Sequence, residues 1–203
     1  MNLRDVPGEQ LHLLGREGAR RAKQWLDSTT RVNASWTVYD SYGVSKLNYD
    51  WPGVDESYSY DIGGLFSGEE LEGEAFLVEC KKYSTDNQGD HFDKFLAQSY
   101  VTLRDDRRLA DHFMWITWHP FRIKSWTELH SQGSILKALK RERERVFGEG
   151  TAEEAVEGLA DAAVIEDLAK RIWVIVLSDR QEGLVISTED RADLAKQRML
   201  RSA

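Results

Sequence analysis

Residues 60–83 read YDIGGLFSGEELEGEAFLVECKKY, two apolar runs around a polar, glycine-bracketed middle. Gly68 and Gly73 flank the segment SGEELEG, so the spacing predicts a hairpin with strands at 58–66 and 74–83. Side chains alternate across a strand, so Glu79 and Lys81 share a face with Leu77, while Val78 and Cys80 point the other way. A hairpin symmetric about residue 70 sets Asp61 directly opposite Glu79, with the Cβ atoms about 5 Å apart. Facing carboxylates repel, and buried charge is costly unless it is paired or holds a metal. The small neighbours Ser59, Gly63 and Gly64 are expected to leave this face open to something large.

The rest of the chain supplies a frame for the hairpin. Leu11, Leu14, Gly18, Ala22, Trp25 and Leu26 recur at helical steps and predict a first helix whose small residues allow a close approach to a sheet. A strand is expected over 34–42 and a loop over 43–57, where Gly43, Pro52 and Gly53 fall. GDHFDKFLAQSYVTLRDDRRLA predicts a helix after the hairpin, and HFMWITWHPF a third strand ended by Pro120. Residues 125–147 read as one helix and 149–170 as an acidic one. RIWVIVLSD predicts a strand buried on both faces, and EDRADLAKQRMLRS a closing helix. The order is α/β, with a central mixed β-sheet flanked by helices. A single domain over 1–203 is expected. Its catalytic core at 1–110 carries helix, hairpin and Glu-x-Lys strand, and 111–203 adds the remaining elements.

Composition narrows the class. Apolar residues at 41% and charged residues at 31% fit a globular chain. No apolar run approaches the ~20 residues that span a bilayer, and no signal peptide is evident, so a cytoplasmic location is expected. One cysteine allows neither an intrachain disulfide nor a cysteine-based zinc site. The net charge of -8 argues against a polyanionic partner until its distribution is considered. Seven acids and no base lie between 149 and 167, and they account for all but one unit of that charge. A local basic face is therefore compatible with the total.

Two carboxylates completed by water suit Mg²⁺ or Mn²⁺. Such an ion polarises a phosphoryl oxygen and acidifies a bound water, while a lysine two residues along orients that water or offsets developing charge. The expected chemistry is metal-dependent hydrolysis of a phosphodiester. The tripeptide itself is no signal, since acid-x-Lys should occur roughly twice by chance in a chain of this composition. Its context is what counts. An aspartate on a hairpin strand, then Glu-x-Lys closing an apolar strand, then a helix, resembles the PD-(D/E)xK nuclease superfamily and its restriction-endonuclease-like fold. LGREGARRAKQWL resembles the first helix of the Holliday-junction-resolvase-like and Mrr-like branches. Tyr60 stands where the name-giving proline would be.

The resemblance implies a Mg²⁺- or Mn²⁺-dependent endonuclease acting on DNA in restriction, repair or defence. Asp61 and Glu79 would hold the metal with the backbone carbonyl of Cys80, and Lys81 would activate or position water. Glu17 takes the place of the first-helix acid that joins the site in those branches, and Gln98 that of a glutamine in the following helix. Read without the resemblance, Glu17 equally suits an i,i+4 pair with Arg21. Arg20, Arg21 and Lys82 are the expected phosphate contacts, which requires the acidic stretch 149–167 to lie elsewhere. Cutting both strands of a duplex calls for two sites, which a homodimer would supply. The rival reading is a catalytically inactive scaffold of the same fold that docks a protein partner through 149–167.

Overall fold

The computed structural model describes residues 8–29, 31–82 and 87–202. Helix α1 (Gly8–Ser28) buries Gly18, Ala19, Ala22 and Leu26. Its small residues let the backbone sit close to the sheet: a Cβ on Gly18 would lie 3.4 Å from the Lys82 Cβ. Strand β1 (Val32–Thr37) follows, then α2 (Ser41–Leu47) and the short strands β2 (Asn48–Asp50) and β3 (Ser57–Ser59). The hairpin is β4 (Ile62–Phe66) and β5 (Ala75–Lys81), and α3 (Gln88–Asp105) leads from it to β6 (His112–Thr117). The remaining elements are α4 (Gln132–Arg141), α5 (Arg143–Phe147), α6 (Val156–Leu159), α7 (Ala162–Arg171), β7 (Ile172–Val176), α8 (Asp179–Glu182) and α9 (Thr188–Ser202).

Five strands form one sheet in the order β1-β4-β5-β6-β7, and β2 pairs with β3 in a separate ribbon. The β1–β4 and β4–β5 pairs are antiparallel, whereas β5–β6 and β6–β7 are parallel. The α/β class and the mixed sheet flanked by helices are thus as expected. One face packs Ile62, Phe76, Val78 and Cys80 against α1. The other packs Leu77, Phe113 and Trp115 against α3, with α4 and α7 beyond it.

The register of the hairpin matches the expectation: Ile62 faces Val78 and Gly64 faces Phe76, so one step further Asp61 meets Glu79. Both turn glycines adopt positive φ, +87° at Gly68 and +81° at Gly73, where a side chain would be strained. Several boundaries differ. The expected first strand, 58–66, breaks at Tyr60–Asp61. The Tyr60 amide turns to the Leu47 carbonyl (3.0 Å), and its buried hydroxyl bonds the Thr102 hydroxyl on α3 (3.0 Å). The expected loop over 43–57 holds α2, β2 and β3, because Leu47, Trp51 and Tyr58 are drawn into the core. The expected helix over 125–147 splits into a 3-10 segment (Ile123–Glu128), α4 and α5.

The acidic helix expected over 149–170 is also broken. Gly150 takes φ +76°, and Asp161 caps α7 by accepting from the Ala163 amide (2.8 Å). Strand β7 is not buried on both faces. It is the last strand of the sheet, and Trp173 remains 38% exposed. Among the described residues no helix is long and apolar enough to cross a membrane.

Candidate active site

Asp61 occupies the bend where the chain leaves the β2–β3 ribbon and enters the main sheet. Its backbone is tied on both sides: the amide donates to the Val78 carbonyl (2.8 Å), and the carbonyl accepts from the Val38 amide (2.9 Å). Its carboxylate accepts from the Cys80 amide at 2.8 Å. Main-chain geometry therefore aims Asp61 at the end of β5. Across from it, Glu79 accepts from the Lys81 ammonium, Nζ to Oε1 2.7 Å, with the side chains 15% and 31% exposed. Sequence reasoning brought these three together, and the structure does the same.

The electrostatics follow from the crowding. Burial first, and the Glu79 charge second, push the Asp61 carboxyl up to about 7. Burial pulls Lys81 down, but the carboxylates of Glu79 and Asp61 more than reverse this, so its ammonium persists well past neutral pH. Lys81 is thus a cation that can position water or offset charge, not a base. Two groups that sequence reasoning missed join the cluster. Tyr39, just beyond β1, has its hydroxyl pushed up to about 12 by burial and by the charges of Asp61 and Glu79. The same hydroxyl would lie 2.8 Å from a Cβ at position 15, so glycine there leaves room for it. His91, exposed in the first turn of α3, is drawn below the usual imidazole range by partial desolvation and by the Lys81 charge. A histidine in the first turn after the Glu-x-Lys strand was the signal available for it.

The Lys81 backbone is also held. Its carbonyl accepts from the Thr117 hydroxyl (3.0 Å), which in turn accepts from the buried Gln88 amide. Nearby, Arg122 grips Asp93 through two 2.6 Å bonds, Asp93 being only 1% exposed, and so fastens the loop after β6 to α3.

The remaining candidates lie elsewhere. Glu17 pairs with Arg20 at 2.9 Å, neither with Arg21 nor with the trio. That pairing lowers its carboxyl, and Lys82, on the α1 side of β5, is the cation of this strand that acts on it. Gln98 lies ten residues beyond Gln88, about 15 Å down α3 at 1.5 Å per residue, where its backbone carbonyl receives the Tyr58 hydroxyl (3.4 Å). Arg21 is not available as a phosphate contact. Two 2.6 Å bonds to Glu182 and another to Asp179 hold it 19% exposed, above the Trp118 ring. Cys80 faces the α1 core, 7% exposed, and burial raises its thiol well above the usual range. Nor do the glycines open the face. A Cβ on Gly63 would meet Leu47 (2.6 Å) and the Trp36 indole (3.1 Å), so that space is already filled.

The oxygen donors present, Asp61 and Glu79, fit a hard divalent cation, and burial together with the Glu79 charge disfavours the ionised form of Asp61 when no such ion is bound. Among the described residues no third acid, histidine or cysteine completes a ligand group, so backbone carbonyl and water would have to do so. Fold and site together define an α/β protein with a paired-carboxylate and lysine cluster at the end of its hairpin. No protein-family model matches the chain, no curated protein matches it, and no solved structure matches it.

Proposed function

We propose that the chain is a divalent-metal-dependent nuclease of the PD-(D/E)xK type that hydrolyses phosphodiester bonds in DNA. One observation carries this reading: one register step beyond the Ile62–Val78 pair Asp61 lies across from Glu79, with Lys81 on the same strand face, and burial and the Glu79 charge disfavour the ionised form of Asp61. Asp61, Glu79 and the Cys80 carbonyl would hold Mg²⁺ or Mn²⁺, which would polarise a phosphoryl oxygen and acidify a bound water. Asp61 is pre-aimed by the Cys80 amide. Lys81 holds the attacking water and offsets the negative charge that grows on the phosphoryl oxygens. Glu17, paired with Arg20, would act on the site from α1 rather than as a ligand.

The test is cleavage of supercoiled plasmid in Mg²⁺ or Mn²⁺. Asp61→Asn, Glu79→Gln and Lys81→Ala should each abolish cleavage while circular dichroism stays unchanged. Wild-type cleavage by all three variants would defeat the assignment. The scaffold reading is favoured by one contact, the 2.7 Å pair through which Glu79 and Lys81 already neutralise each other. Absence of both Mn²⁺ binding and cleavage in the wild-type protein would decide for it.

A further inference from the structure

We propose that the groove along α4 receives the phosphate backbone of the DNA, a surface that rests on the nuclease reading and extends it. The groove encloses about 600 Å³ and is lined by Lys137, Lys140, Arg141 and Arg143 against one acid, Glu153. Lys137, Lys140 and Arg141 fall within five residues of one helix, a rise of about 6 Å, which matches roughly two phosphates of one strand at an axial spacing of about 3.4 Å. Arg143 is fixed beneath them by its bonds to the Thr151 and Lys140 carbonyls (2.8 and 3.1 Å).

The groove also lies where a substrate would need it. Arg141 pairs with Asp90 (2.5 Å) in the first turn of α3. At the start of the same turn Gln88 donates to the Thr117 hydroxyl, which donates to the Lys81 carbonyl (3.0 Å), so this turn abuts the end of β5. A strand whose scissile phosphate rests at Asp61 and Glu79 would continue over this turn and onto α4.

The partners these cations now have are exchangeable. Lys140 meets Glu157 at 2.5 Å, and Glu157 is 62% exposed; Arg141 and Asp90 are 45% and 47% exposed. Exposed pairs of this kind contribute little, so a phosphate can take the place of Glu157 or Asp90, while Arg141 also keeps a longer 3.4 Å contact to the buried Asp93. Lys137 has no ion pair among the described residues. Arg21 on α1, by contrast, is enclosed by Glu182 and Asp179. The acids of 153–157 therefore border the basic groove instead of lying apart from it, with Glu153, Glu154 and Glu157 all acting on Lys140.

The test is fluorescence anisotropy with a labelled 20-base-pair duplex in Ca²⁺, at several salt concentrations. Lys137→Glu/Lys140→Glu should bind at least tenfold more weakly at 100 mM salt. The slope of log K against log salt should fall by about two units, one for each phosphate that is no longer neutralised. Lys170→Gln, which removes an exposed cation of α7 outside the groove, should stay within twofold of wild type. If the charge-reversed variant fails to fold, Lys137→Gln/Lys140→Gln should still weaken binding several-fold. Wild-type affinity and slope in a folded groove variant would overturn the proposal. If such a variant also cut plasmid at the wild-type rate, the surface would fall while the nuclease reading stood. A duplex bound through Lys137 and Lys140 but never cut in Mn²⁺ would do the reverse.

Discussion

Asp61→Asn should stabilise the metal-free protein, and only above the ordinary carboxylate range. Burial and the Glu79 charge push Asp61 up to about 7 in the folded chain, against an ordinary value of 3.8. A carboxyl raised by folding binds its proton more tightly in the native state. Its contribution is present in full below the unfolded value and is lost as pH rises through about 7. At about 1.4 kcal/mol per pKa unit the full interval corresponds to about 4 kcal/mol. Glu79 shares the site and Lys81 partly offsets the repulsion, so about 2 kcal/mol is the expected gain for the asparagine at pH 8. For a chain of this size that shifts the midpoint by about 4–8 °C. Asparagine keeps an oxygen for the Cys80 amide, so the backbone geometry is retained. The assay is thermal unfolding in EDTA from pH 4 to pH 9. The two curves should meet near pH 4 and separate between 4 and 8. Added Mn²⁺ should then raise the wild-type midpoint and leave the variant's unmoved. A difference independent of pH, or a wild type more stable than the variant at pH 8, would refute the account of the carboxylate pair.

Asp93→Ala should cost about 3 kcal/mol in denaturant unfolding, because it strands the Arg122 guanidinium beside a buried helix turn. Cys80, buried and raised, should react with iodoacetamide only as fast as the protein unfolds; rapid labelling of the native state would mean the strand face is misassigned. Glu153→Gln/Glu157→Gln should tighten duplex binding several-fold at 50 mM salt and much less at 300 mM, read by the same anisotropy titration, because Lys140 is released from its carboxylates.

What was legible in the sequence was local. Period-two alternation and two bracketing glycines determine the β4–β5 register, and with it the meeting of Asp61, Glu79 and Lys81. Small residues at helical spacing place α1 on the sheet. What was not legible depends on partners far along the chain. Arg21 finds Glu182, 161 residues away, and no pattern near position 21 announces it. The Leu47 side chain that fills the space above Gly63 comes from a segment read as loop because its glycines and proline outweighed a short helical stretch. Tyr39 and His91 come near the trio from the end of β1, two strands away in the sheet, and from the first turn of α3, placements that a single-strand reading cannot supply. Strand β7 misleads for the opposite reason. Its composition suits an interior position, but no strand follows it in the sheet.

The bond from the Cys80 amide to Asp61 has a practical consequence. Because the donor is main chain, Asp61 is oriented by whatever residue occupies position 80, provided it is not proline. Cys80 is also the one cysteine in the chain. Replacing it with a small apolar residue gives a thiol-free background in which the carboxylate keeps its aim. Single cysteines placed on α4 and on α1 could then carry spectroscopic labels to follow either helix, with the site between them undisturbed.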